Sequence, residues 1–115
     1  MKIKYNTMII KDMEESVKFY TEVLDFEIDS EYDLPQAKIT LIKGEGDSMI
    51  ELIQDKVNDI GLYSVGIDVE DIDNEVEKLK SKGVKFILEP TKISVGTMAL
   101  LHDPNGINIV LVQHD

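Results

Sequence analysis

The second half of this 115-residue chain repeats the first. Ile10-Lys11-Asp12-Met13-Glu14 lines up with Val69-Glu70-Asp71-Ile72-Asp73, and Ile50-Glu51-Leu52-Ile53-Gln54 lines up with Ile109-Val110-Leu111-Val112-Gln113, both at an offset of 59. Each half is one copy of the same supersecondary unit. An open solenoid needs about three or more stacked repeats, so two copies are expected to pair, share a core and leave a pseudo-symmetric cleft where they face each other. The expectation is a single domain, 1–115, made of module 1–57 and module 58–115.

The hydrophobic period fills in each module. Residues 3 to 10 alternate as a strand does, and Asp12 followed by Glu15 is a capping-box-like helix start. Met13, Val17, Tyr20 and Leu24 then fall on one helical stripe that ends near Asp25. Strands follow near 26–33, 37–43 and 48–54. The second copy has the same order: a strand at 62–69, a helix capped by Asp71 carrying Ile72, Val76 and Leu79, Gly83 as its left-handed terminator, and strands near 84–89, 96–102 and 107–113. Asp103-Pro104-Asn105-Gly106 is a strong turn signal. Each half therefore reads βαβββ, and the fold class is α+β.

Composition removes several chemistries. The chain has no cysteine, which excludes disulfides, thiolate metal sites and a cysteine nucleophile. Its net charge of −11, with 12 basic residues that are all lysine against 23 acids, argues against nucleic acid and anionic membranes as partners. The acidity serves solubility, or attracts a cationic ligand. No apolar run approaches the ~20 residues of a membrane span, and Met1-Lys2-Ile3-Lys4 does not resemble a signal peptide, so a cytoplasmic location is expected. Gly44-Glu45-Gly46-Asp47 joins two strands and carries acids where a phosphate loop needs amides and lysine.

The paired βαβββ pattern resembles the vicinal oxygen chelate superfamily, which includes glyoxalase I, extradiol dioxygenases and the fosfomycin- and bleomycin-resistance proteins. The segments that carry the resemblance are Asp12 to Tyr20 with Val23-Leu24, Val69 to Asp73, and Asp103 to Ile109. Asp25 stands where the family often has glycine, a left-handed position that Asn or Asp tolerates at modest cost. The resemblance implies a cup-shaped mixed sheet with helices outside. In the metalloenzymes of the family, a divalent ion sits in the cup on four residues, which correspond here to Tyr5, Glu51, Ser64 and Val110.

Those four positions supply one carboxylate, a phenol, a hydroxyl and an aliphatic side chain, whereas a divalent metal wants three or four imidazole or carboxylate donors. No metal and no cofactor is therefore expected. His102 and His114 are expected at a loop edge and in the terminal tail. Strand alternation adds neighbours, so the expected ligand-binding set is Tyr5, Thr7, Met49, Glu51, Ser64, Asp68, Met98 and Val110, and Glu51 is the one candidate catalytic residue. Glu51 is open to two roles, a general base or a hydrogen-bond acceptor for Tyr5 or Ser64.

The expected function is metal-free binding of a small molecule, such as an antibiotic or another cationic ligand, by a homodimer. The alternative is a divergent glyoxalase-like lyase or isomerase with Glu51 as general base. A third reading, an interaction domain without a ligand, requires the cup to be filled by Tyr5, Met49, Met98 and Leu100.

Overall fold

The computed structural model describes residues 1–115. Its contacts divide into two compact units, Tyr5–Tyr63 and Ser64–Asp115, the latter joined by Met1–Lys4. In chain order the elements are β1 (Lys2–Ile9), α1 (Met13–Lys18), a π-helical turn (Phe19–Val23), β2 (Glu27–Asp33), β3 (Lys38–Lys43) and β4 (Met49–Gln54). There follow β5 (Gly61–Asp68), α2 (Ile72–Ser81), β6 (Leu88–Ile93), β7 (Gly96–His102) and β8 (Asn108–His114). The first module's strands run β2-β3-β4-β1 and the second's β5-β8-β7-β6.

The repeat holds bond for bond. β1 pairs parallel to β4 with Tyr5 opposite Met49, and β5 pairs parallel to β8 with Ser64 opposite Asn108. Asp12 and Asp71 each cap a helix, accepting from the backbone N–H three residues on at 3.1 Å. A second anchor comes from the last strand of each module. The Met13 N–H donates to Gln54 Oε1 at 2.6 Å, and the Ile72 N–H donates to Gln113 Oε1 at 2.8 Å. The first four N–H groups of a helix have no partner within it, so these glutamines satisfy a donor and tie the helix to the sheet. The alignment paired Gln54 with Gln113, but the role becomes visible only when strand end and helix start meet.

In the second module, Ile72 and Val76 of α2 pack on Val69, Ala99 and Leu111, ringed by Ile67, Leu79, Phe86, Leu101 and Ile109. Each fully buried aliphatic side chain stabilises by about 1.5–3 kcal/mol. α2 ends in a full Schellman turn, with Gly83 at φ 92°, its N–H on the Lys80 carbonyl and the Val84 N–H on the Leu79 carbonyl. That turn explains one departure from expectation. The strand placed at 84–89 begins at Leu88, because the Val84 backbone is committed to the helix end and Phe86 to the core. Pro90 sits within β6 where that strand is the edge of its sheet, and the register slips between Leu88 and Thr91.

The first helix departs further. α1 is followed by a π-helical turn instead of continuing as α-helix, and the Leu24 N–H reaches five residues back to the Phe19 carbonyl. Thr21 Oγ1 donates to the Val17 carbonyl at 2.8 Å and competes there for the acceptor that an α-helical N–H uses. The extra residue rotates Leu24 off the stripe, so that it is 43% exposed while Met13, Val17 and Tyr20 stay partly buried. Asp25 adopts φ 61°, the left-handed position expected of it.

Candidate functional site

In the first module, Leu52 is fully buried and Gln54 reaches the start of α1, so the even positions of β4 face the helix and the odd ones face away. Tyr5, Thr7, Met49 and Glu51 accordingly share the face opposite α1, as strand alternation predicts. Leu41 is the partner of Glu51 on its other side, with Ile39 opposite Ile53 one step along. Glu51 thus stands as a carboxylate among aliphatic side chains.

The hydrogen bond that Glu51 accepts comes from Thr7, whose Oγ1 lies 2.7 Å from Glu51 Oε1. This corrects the expected pairing with Tyr5 or Ser64. Register is the reason: Thr7 is directly opposite Glu51, whereas Tyr5 is opposite Met49. Thr7 is only 4% exposed, so its hydroxyl needs a partner inside the protein. A carboxylate has about four lone-pair sites. Thr7 uses one, and Glu51 Oε2 is free to accept from a ligand.

The second module sets out its expected residues in the same way. Gln113, Leu111 and Ile109 face α2, which places Ser64, Asp68, Met98 and Val110 on the opposite face, together with Asn108, Leu100 and Val112. Both histidines also belong to this face. His102 is the last residue of β7, at the edge of the loop that follows, and His114 is the last residue of β8 and not part of a tail. His102 Nε2 lies 2.9 Å from Asn108 Oδ1, and His114 Nδ1 lies 2.9 Å from Asp68 Oδ1. Extending the period-two series 98, 100, 102 and 110, 112, 114 would have found them; the turn residues that follow His102 masked it. Open clefts of about 580 Å³ lie elsewhere in the modules, and of the expected site residues only Asp68 lines one.

The residues do not fit a divalent metal. Among the four mapped positions the first module contributes one carboxylate and a phenol, and the second a hydroxyl and Val110, which has no donor atom. Within neither module do three His, Asp or Glu side chains converge on a point that could hold an ion.

Comparison with known proteins agrees with this architecture. The model of the Glyoxalase/Bleomycin resistance protein/Dioxygenase superfamily matches residues 2–111. The chain is 35% identical to the uncharacterized protein YurT of Bacillus subtilis (strain 168), over 98% of this chain and 99% of that one. It is 31% identical to a probable lactoylglutathione lyase of Synechocystis sp., over 94% and 92% of the two chains. Among solved structures, the hypothetical protein BH1468 of Bacillus halodurans C-125 superposes with a TM-score of 0.83 at 21% identity, covering 99% of this chain and 94% of that one. Methylmalonyl-CoA epimerase of Mycobacterium tuberculosis superposes with a TM-score of 0.82 at 17% identity, over 99% and 88%. At such identities the structural likeness speaks to the fold, which is the α+β fold of two βαβββ modules.

Proposed function

Because the chain belongs to the glyoxalase/bleomycin resistance protein/dioxygenase superfamily, whose members share a fold but not one activity, we propose that it binds a small molecule without a bound metal, in the manner of the drug-sequestering members. The observation that carries this reading is the donor set: Glu51 keeps one free carboxylate oxygen on a largely aliphatic face, while Val110 stands where a metal ligand is required. A ligand with a cationic or N–H-bearing group satisfies Glu51 Oε2 through a charge-assisted hydrogen bond, and the net charge of −11 favours its approach.

The test is a thermal-shift screen of cationic and donor-rich small molecules, repeated on Glu51→Gln. A ligand at 100 times its dissociation constant raises stability by about 2.7 kcal/mol. Hits that weaken on Glu51→Gln support the reading, and equal binding by the variant overturns it. Nickel, zinc or manganese should leave the melting temperature unchanged; stoichiometric, chelator-sensitive metal would refute the metal-free assignment.

A second reading, a lyase or isomerase with Glu51 as general base, is favoured by relatives named as lactoylglutathione lyases. It predicts formation or loss of lactoylglutathione, followed by thioester absorbance, and abolition of that activity in Glu51→Gln. A homodimer in the cytoplasm completes the proposal. β2, the edge of the first module's sheet, carries Glu27, Asp29, Glu31 and Asp33. That run of charge discourages edge-to-edge pairing, so the copies would associate through faces. Light scattering at micromolar concentration tests the assembly.

A further inference from the structure

The first module gathers lysines that the Glu51-centred reading does not use. A cleft of about 580 Å³ is lined by Lys11, which follows β1, by Lys38, the first residue of β3, and by Lys56, which follows β4. Its other lining residues come mostly from the turn between β2 and β3 and from the turn after β4. We propose that this cleft binds a small phosphate monoester, with the three lysines receiving the phosphoryl group and the exposed side chains of Leu34 and Val57 receiving the organic part. Neither Thr7 nor Glu51 lines the cleft, and the proposal is independent of the reading built on Glu51.

Three observations lead there. The first is that these lysines have no other task. Ion pairs engage Lys43, Lys78, Lys80 and Lys92, whereas Lys11, Lys38 and Lys56 are exposed and their ammonium groups are in none. Even Asp33, opposite Lys38 in the β2–β3 register, does not pair with it. The second is the repeat, which acts as an internal control. Lys38 stands between Asp33 and Gln54, and at the offset of 59 Thr97 stands between Lys92 and Gln113. The counterparts of Lys11, Lys38 and Lys56 are Glu70, Thr97 and Asp115, and Lys92 is bound by Asp115 at 2.9 Å. The fold therefore does not require lysine at these positions. The third is a frame set by local bonds. The Leu34 N–H donates to the Ala37 carbonyl at 2.9 Å and closes the β2–β3 turn, where Pro35 fixes its own backbone angle. Asp55 accepts from the Val57 and Asn58 backbone N–H groups at 3.2 and 3.0 Å and from the Asn58 side-chain amide at 2.7 Å. Its carboxylate is committed to its own turn, which leaves Asp33 as the unengaged acid of the cleft.

Charge selects the ligand. The lining holds three ammonium groups against two carboxylates, while the cleft beside Lys43 sets that one lysine against Asp25, Glu27 and Glu45. At physiological ionic strength, exposed charges more than ~8 Å apart are largely screened. A ligand in the cleft therefore responds to the lining rather than to the net charge of −11. A phosphate monoester carries about 1.5–2 negative charges at pH 7 and three acceptor oxygens, one for each ammonium, and lysine binds phosphate as a point charge. A carboxylate offers a single charge and two oxygens. Leu34 and Val57 are 47% and 88% exposed, and covering them favours an ester with an apolar group over free phosphate.

Phenyl phosphate, inorganic phosphate, benzoate and benzylammonium separate the head group from the body, and each can be titrated into ¹⁵N-labelled protein. The expected result is saturable movement of the Leu34, Ala37, Lys38, Lys56 and Val57 amide resonances with phenyl phosphate, at an affinity at least several-fold above the other three. Lys11→Met, Lys38→Met and Lys56→Met should each weaken phenyl phosphate about 3- to 5-fold, the usual worth of an exposed ion pair. Asp33→Asn, which removes the unengaged acid, should strengthen it by a similar factor, about 3- to 5-fold. All four positions are exposed, so the melting temperature should hold. Phenyl phosphate shifts that map outside the cleft, an affinity matched by any of the other probes, or an affinity unchanged in all three lysine variants would each overturn the proposal. None of these variants touches Thr7 or Glu51, and the screen on Glu51→Gln touches no lysine of the cleft, so the two readings fail separately.

Discussion

Replacing Thr7 by valine tests the bond on which the Glu51 site is built. Valine keeps the branched shape and removes only the hydroxyl that donates to Glu51 Oε1 at 2.7 Å. A hydrogen bond to a charged group contributes about 1.5–3 kcal/mol. Thr7 is 4% exposed but Glu51 is only partly buried, and water can replace part of the lost bond, so we expect Thr7→Val to cost about 1.5–2 kcal/mol. Glu51→Gln keeps an acceptor for Thr7 but makes the bond neutral, about half as strong. Removing one of 23 acids also relieves repulsion in a chain of net charge −11. These effects oppose each other, and the single variant should lie within about 1 kcal/mol of the parent. The double mutant isolates the pair: a coupling of about 1 kcal/mol is expected from urea melts of the four proteins. If the coupling is below about 0.3 kcal/mol, within the scatter of independent sites, the Thr7–Glu51 bond does not exist in solution and Glu51 is not held as described.

Gln113→Leu should destabilise by about 1–2 kcal/mol, as loss of a helix cap does, and Gln54→Leu by a similar amount, in denaturant melts; indifference at both would remove the glutamine anchors. Gly96→Ala places a Cβ 1.9 Å from the Gln113 carbonyl oxygen, and the β7–β8 ladder must shift, at a cost of about 2–3 kcal/mol; a melt unchanged within 0.5 kcal/mol, the usual range of a neutral surface change, would refute that packing. Asp25→Gly should stabilise by about 0.5–1 kcal/mol, since glycine adopts φ 61° without the penalty of a Cβ; a fall in melting temperature would contradict it. The Asn58 backbone N–H, with its side-chain amide and the Val57 N–H, holds the Asp55 carboxyl below its ordinary value of 3.8 despite slight desolvation. A depressed acid contributes stability above the unfolded-state value that is lost as pH falls through the folded one, so carbon-detected NMR should place its midpoint below 3.8, with Asn58→Gly moving it upward.

The repeat made most of the architecture legible, because a duplicated unit states its own boundaries twice. Helix starts at Asp12 and Asp71, the left-handed Asp25 and Gly83, and the turn at Asp103 to Gly106 depend on bonds within a few residues, and local bonds leave local signals. Strand alternation also named the right face for Tyr5, Thr7, Met49, Glu51, Ser64, Asp68, Met98 and Val110, since side chains alternate whatever the tertiary context. That Val110 has no donor atom and Ser64 only a hydroxyl was equally plain from residue chemistry. What alternation leaves open is which neighbour on that face touches which. The choice of Thr7 over Tyr5 as the partner of Glu51 required the β1–β4 register, and the pairing of His102 with Asn108 and of His114 with Asp68 required β5, β7 and β8 to be laid side by side. The π-helical turn at Phe19 and the late start of β6 were settled by competition, between Thr21 and the backbone for one carbonyl and between helix end and sheet for Val84. The sequence by itself determined the elements, their order and the chemistry each face can offer, because these follow from spacing and residue type. Only the tertiary structure decided the pairings that make a site, because the partners of a hydrogen bond 44 or 46 residues away are set by strand register, which no local pattern encodes.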